Sequence, residues 1–307
     1  MASVIEPVVD LSTLSLYKLK TNPIHSLESQ NQRRKEVLKK QKEKREQQIS
    51  QLRFLNLNES QSTDESEQQP QKPQWPPRKP RRNPSTICPI GMMLAEWLFS
   101  PPEDISSWFV LPCPRGHRCL VVVQSHRTQV FGKNGNPIRT IHTNLPRQTI
   151  LYCIYDNRTS VYHIIDILMW NGQDYSTQIE CQCRFYVLLS LNGDSRLGKQ
   201  FDILPRFTFE QQNQWTQAED GYLFYHPLGF YEEGYSPLVC WLQPFMIKEI
   251  LGIELNYSIE KPSGYTNAQD YMIEEQSNRK EQQKSSRKKK DKFSHDEEQE
   301  NVMSVDQ

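Results

Sequence analysis

Two short runs, Asp220-Gly-Tyr-Leu-Phe-Tyr-His226 and Pro237-Leu-Val-Cys-Trp-Leu-Gln-Pro244, are apolar and aromatic and are bounded by Gly or Pro. Runs this brief do not make buried helices; they read as buried strands. The loop between them, Pro227 to Ser236, carries three aromatic residues and three glycine or proline residues. Trp241 lies near the end of its strand beside that loop, where a flat ring can serve as a platform for a stacked base. The residues alone leave a second reading open, in which Trp241 is a core side chain.

Around these strands the apolar content is unevenly spread. Residues 89–260 hold five of the six tryptophans, whereas 1–88 and 261–307 are polar, charged and rich in Gln. One core-bearing domain between non-globular flanks follows. Within it, Thr128–Phe131 and Pro137–Ile141 flank Lys133-Asn-Gly-Asn136, a strong hairpin signal. Thr149–Tyr155 and Val161–Trp170 flank a polar turn. Trp108–Leu111 and Arg118–Ser125 read as strands, Met92–Leu98 and Ile247–Leu251 as short helices, and Cys181–Leu189 as either. Strands joined by tight turns with few helices predict an α+β domain of mainly antiparallel sheets with flanking helices.

Lys plus Arg equals Asp plus Glu, 37 each, but the balance conceals basic stretches at 33–45, 78–82 and 279–292. No run has the length of a membrane span, and the first ten residues lack the pattern of a signal peptide. Seven cysteines without C-x-x-C spacing suggest reduced thiols, and Cys181-Gln-Cys183 alone is a poor metal site. The sequence therefore predicts no metal, no cofactor and no membrane association.

The flanks carry their own patterns. Val8, Leu11, Leu14 and Leu16 have the spacing of a short amphipathic segment that lies in a partner's groove. From Ile24 to Gln69 there is no glycine or proline, and Asn22-Pro23 suits a helix start. The helix expected over 22–58 has a thin apolar stripe, Leu27, Leu38, Ile49 and Leu52, interrupted by Arg34, Gln41 and Arg45. Arg33, Lys35, Lys39, Lys40, Lys42 and Lys44 surround it. A helix this polar is not expected to bury itself against the chain's own core. It reads as a solvated arm, as an RNA-phosphate contact, or as a helix that forms inside an acidic partner. Residues 59–88 read as a linker, acidic and then Pro-rich and basic, and 261–307 as a disordered charged tail.

Several of these stretches resemble known families. Cys113-Pro-Arg-Gly-His-Arg118 resembles the nucleophile loop Lys-x-Asp-Gly-x-Arg of mRNA capping enzymes and nucleic-acid ligases. Ile164–Leu168, Asp220–Phe224 and Val239–Pro244 are similar, in order and spacing, to the later motifs of that nucleotidyltransferase fold. The chemistry is missing: Cys113 stands for the nucleophilic lysine, Arg115 for the aspartate and Leu168 for a metal-binding glutamate. Covalent transfer needs a lysine amine and a metal on the phosphates, so the resemblance implies a nucleotide pocket with no catalytic residue and no enzyme activity. Ser26 to Arg45 resembles the importin-β-binding segment of import adaptors, and the N-terminal leucines resemble an export signal read by an exportin.

Taken together, helix, linker and inert capping-enzyme-like domain resemble the snurportin family of import adaptors. That resemblance implies binding of the 2,2,7-trimethylguanosine cap of U snRNA in snRNPs, with shuttling between cytoplasm and nucleus. It implies Trp241 as stacking platform, Trp97 as second aromatic wall, Arg118 and Lys133 at the phosphates, and Cys113, His117 and Cys119 in the same loop. The family's serine two residues before the wall tryptophan is Ala95 here, which removes a hydroxyl contact. It also implies importin β contacts at Arg33, Arg34, Lys35, Leu38, Lys39, Lys40, Lys42, Lys44 and Arg45, and exportin contacts at Val8, Leu11, Leu14 and Leu16. Two other functions compete: an active guanylyltransferase or ligase, and a generic RNA-binding protein using its basic arms.

Overall fold

The computed structural model describes residues 27–59, 90–124, 127–278 and 281. The N-terminal leucine segment, the linker and the basic run at 286–292 lie outside the described residues. Among the described residues helix α1 (Leu27–Glu59) comes first, followed by twelve strands and three shorter α-helices, the last at 268–278.

The first sheet has the order β1-β12-β11-β2-β10, built from Met93–Trp97, Gly234–Leu242, Gly221–Tyr225, Phe109–Cys113 and Phe207–Thr208. The second runs β5-β4-β3-β6-β7-β8, from Pro137–Ile141, Arg127–Phe131, His117–Gln124, Thr149–Asp156, Val161–Trp170 and Gln173–Asp174, with β9 (Phe201–Ile203) also on β7. All pairings are antiparallel except β1 with β12 and β9 with β7. The molecule is α+β with mainly antiparallel sheets, as the turn spacing implied.

Strand alternation divides the core. Leu111, Leu223, Tyr225 and Val239 turn one face of the first sheet toward the second. Val110, Tyr222, Phe224, Cys240 and Leu242 line its other face with Trp108, Trp215, Met246 and Met272. Each fully buried Val, Leu or Phe among them contributes about 1.5–3 kcal/mol. Helix α2 (Cys181–Ser190) lies against β7, where Arg184 and Asp166, both fully buried, form a two-point ion pair at 2.9 Å. Helix α3 (Ile247–Leu251) ends at Gly252, whose φ of 68° is the left-handed cap that glycine adopts without strain.

Three expectations are corrected. Met92–Leu98 is not a helix: its helix-forming residues Met, Leu, Ala and Glu are recruited as β1 by the open edge of β12. The charged tail does not begin at 261. Tyr265 packs on Phe245 at 4.9 Å, Tyr271 meets Trp97 at 6.5 Å, and Ala268 and Met272 in the helix at 268–278 are fully buried. Those four residues have helical spacing and cover the outer face of the first sheet.

The third correction concerns α1, which does bury part of itself on the chain's own domain. Gln30, Arg34 and Gln41 are 1%, 4% and 3% exposed, so two of the residues that interrupt the apolar stripe are among those that dock. A polar side chain tolerates burial when each group finds a partner. Arg34 donates from Nε to the Pro237 carbonyl at 3.1 Å and from Nη2 to the Gln30 side-chain oxygen at 2.8 Å, and lies over the Trp108 ring at 5.4 Å. Arg33 pairs with Glu96, Arg45 with Glu180, and the Gln41 amide donates to Glu232 at 3.2 Å. Lys35, Lys39, Lys40, Lys42 and Lys44 remain exposed, and Leu38 is half-buried.

Candidate functional site

The two tryptophans singled out from the sequence stand beside each other. Trp97 closes β1 and Trp241 lies on β12, and they are direct partners in the parallel register. Trp241 is half-buried and packs against both core clusters. A Cβ at Gly221 would fall 2.5 Å from Trp241 Cζ2, so only glycine at 221 lets the indole lie where it does. Trp97 is 6% exposed and packs nearly perpendicular to Tyr271 in the cluster on the outer face of the first sheet, so it does not stand as an open second wall beside Trp241. Ala95 is half-buried on β1, two residues before it.

From the second sheet a cation faces Trp241. Arg118 on β3 is half-buried, donates from Nη1 to the Tyr152 hydroxyl at 3.3 Å, and stands 5.5 Å from the centre of the Trp241 ring. Tyr152 in turn donates to the Met93 carbonyl at 2.8 Å, tying the two sheets at this point. Lys133, exposed in the β4–β5 turn, places Nζ 6.0 Å from the ring centre of Tyr235 on β12. A cationic group over an aromatic face is favourable by about 0.5–1 kcal/mol where water reaches it.

The loop between β2 and β3 is less uniform than its sequence suggested. His117 is exposed at the start of β3. Cys113 is 1% exposed at the end of β2, and burial pushes its thiol up to about 12. A protonated, buried thiol is a poor nucleophile. Cys119 also sits in the core, its thiol raised to about 12 by burial, opposite Cys153 in the ladder. Alternation along β3 turns it to the face opposite Arg118. Leu168 is fully buried, and the carboxylate of Asp166 is taken up by Arg184.

Four contributors escaped the sequence reading. Tyr152 orients Arg118, Gly221 clears space for Trp241, Tyr235 faces Lys133, and Glu96 receives α1. Of these only Gly221 carried a local signal, as the glycine opening an aromatic strand. The others depend on pairings between distant segments.

Fold and site define a protein of two packed, mainly antiparallel sheets with aromatic side chains of one sheet facing cationic side chains of the other. Residues 91–244, half of the 307, match the family described as Snurportin1, m3G cap-binding domain, and residues 14–54 match the family described as Snurportin1. The chain belongs to the Snurportin1 family. Among solved structures it is similar to a Lig E DNA ligase, at 16% identity and a TM-score of 0.38 over 50% of this chain and 68% of that one. It is also similar to the Chlorella virus DNA ligase–adenylate, at 15% identity and a TM-score of 0.36 over 50% of this chain and 69% of that one.

Proposed function

We propose that the chain is a non-enzymatic import adaptor that holds the 2,2,7-trimethylguanosine cap of U snRNA and links the snRNP to importin β. The observation that carries this reading is the pairing of Trp241 with Trp97 in register, with Arg118 facing Trp241 from the second sheet. Methylation at N7 makes the base cationic, which strengthens stacking on an indole beyond the ~1–3 kcal/mol of an ordinary base. The two methyls on N2 replace both donors there, and each adds ~0.8 kcal/mol when buried. Arg118 then swings from the ring face toward the phosphates, and Lys133 meets them from the β4–β5 turn. Nucleotidyl transfer is excluded from the proposal because Cys113 occupies the nucleophile position and its thiol stays protonated.

In the same proposal α1 is the importin-β-binding helix. Its exposed lysines, Lys35, Lys39, Lys40, Lys42 and Lys44, are free to meet an acidic partner, whereas Arg33, Arg34 and Arg45 must first leave the domain. Val8, Leu11, Leu14 and Leu16 are the exportin segment that returns the protein to the cytoplasm. The test is a bridging pull-down on immobilised trimethyl-capped and uncapped RNA. Importin β should be retained only on the trimethyl-capped RNA and only when this chain is added. Retention on uncapped RNA as well would favour a generic RNA-binding protein, and a covalent guanylate adduct with labelled nucleotide and metal would favour an enzyme.

A further inference from the structure

In a chain whose basic and acidic residues balance at 37 each, residues 105–155 contain no Asp or Glu but hold Arg115, Arg118, Arg127, Lys133, Arg139 and Arg147. The cap proposal uses only Arg118 and Lys133 of these. The β4–β5 hairpin carries further cations past the cleft. Its second strand, β5, is the outermost strand of the second sheet, and Pro137 to Thr140 are all exposed. Arg139 lies over the Tyr155 ring at 4.2 Å. Tyr155 follows Cys153, the ladder partner of Cys119, by two residues, so its ring lies on the face turned away from Arg118. On that face Tyr155 meets Tyr162 at 4.6 Å, and Tyr162 stacks on Phe201 at 5.3 Å. Phe201 lines a cavity of about 520 Å³ together with Thr128, His142, Thr143, Arg196 and Lys199, and no carboxylate lines it among the described residues. Asp194 pairs with Arg196 at 2.6 Å, and Asp202 with His163 at 3.2 Å. Arg127, Arg139 and Lys199, all exposed, therefore set the sign of this face.

The geometry points to this outer face of the β4–β5 hairpin as a second RNA contact, which holds the phosphate backbone of the RNA body outside the cap cleft. The inference rests on the cap-binding proposal, which fixes where the RNA enters, and goes beyond it from the cap to the body of the molecule. Lys133 in the turn is the last cation of the cleft. Beyond it the register sets Arg139 opposite Val130, and Ile141 opposite Thr128 at the cavity. Phe131 to Thr128 is three steps along β4, roughly 10 Å, so RNA that leaves the cleft at the turn reaches the cavity by following the edge. Among the described residues no strand pairs with the outer side of β5, and the RNA passes around it. Exposed cations beside threonine hydroxyls hold phosphates without reading sequence. An acidic protein surface would meet the same charge. Only the RNA, however, is brought to this hairpin by a site next to it, at the raised effective concentration of a linked ligand.

The experiment compares the full chain, unchanged and with Arg139→Gln and Lys199→Gln combined, on two ligands. One is the trimethylated cap dinucleotide; the other is a trimethyl-capped single-stranded RNA of about ten nucleotides. At low salt the unchanged chain should bind the longer RNA on the order of tenfold tighter than the dinucleotide. The double variant should lose most of that gain. Its slope of log affinity against log salt on the longer RNA should fall by about 1.4, roughly 0.7 for each phosphate contact removed. Its affinity for the dinucleotide should stay within about twofold, because the two cations lie outside the cleft. No gain from the added nucleotides, or a gain and a salt slope that the double variant keeps, would overturn the inference and leave the face to an acidic protein. Equal loss on both ligands would overturn it as well, since the cations would then act through the cap cleft. Failure of the unchanged chain to bind the dinucleotide would refute the cap proposal in an arm without added nucleotides, whereas a missing gain on the longer RNA leaves that proposal standing.

Discussion

Replacing Trp241 by Ala separates platform from core. Truncation of a fully buried Trp costs about 3–5 kcal/mol. Trp241 is only half-buried, although it touches both core clusters, so a loss of about 1.5–2.5 kcal/mol is expected. For a domain of this size that lowers Tm by about 3–10 °C and leaves a folded protein at room temperature. Loss of the stack should remove at least ~1–3 kcal/mol of cap affinity, and more because the base is cationic. The assay pairs titration of the cap dinucleotide, followed by quenching of tryptophan fluorescence, with thermal melting. Trp241→Phe should retain part of the affinity, since a smaller ring still stacks. A Trp241→Ala protein that melts close to the unchanged protein and still prefers the trimethylated cap would refute the argument.

Four further outcomes follow from the same geometry. Arg118→Ala should weaken cap binding and flatten its dependence on salt, read from titrations at several ionic strengths, because one phosphate contact is removed. Glu96→Gln removes the carboxylate that pairs with Arg33 and accepts from Gln30; with the pair part-exposed, a loss of about 1–2 kcal/mol should speed amide hydrogen exchange in residues 30–45 several-fold. Charge reversal at Lys39 and Lys40, both exposed, should weaken importin β binding while cap affinity stays unchanged in the same titration. His226 donates to Asp104 at 3.0 Å and accepts from the Leu228 amide at 3.1 Å; burial holds it below its ordinary 6.5, Arg34 adding to the effect and Asp104 opposing it. Its neutral form stabilises the fold above pH 6.5, and that contribution is lost as pH falls below it, so Tm should drop more steeply between pH 7 and pH 5 than in His226→Gln.

How much was legible in the sequence depended on whether the signal was local. Asn134-Gly135 announces the β4–β5 turn because glycine takes the positive φ of 72° there. Val161–Trp170 emerges as β7 with the bounds its apolar run suggests. The residues of Met93–Trp97 favour helix locally, and only the distant β12 makes them a strand. Glycine and proline around Tyr235 signal a loop, whereas its ladder partner Leu94 makes it part of β12. The docking of α1 was hidden for another reason. A docking helix ordinarily shows an apolar stripe, but this one binds with Gln30, Arg34 and Gln41, whose partners Glu96, Pro237 and Glu232 lie far along the chain. At the site, Trp97, Arg118, Lys133 and Trp241 were visible as residue types in order, but which cation faces which ring required the fold.

The proposed function stands on recognition of a trimethylated guanine by this cleft. The most direct measurement is the affinity of the unmodified chain for three cap dinucleotides that differ only in methylation: trimethylated, N7-monomethylated and unmethylated. Binding should be tightest to the trimethylated form, weaker to the monomethylated form, whose N2 donors find no replacement for water, and weakest to the uncharged base. Equal affinity for all three, or a preference for the monomethylated cap, would contradict it.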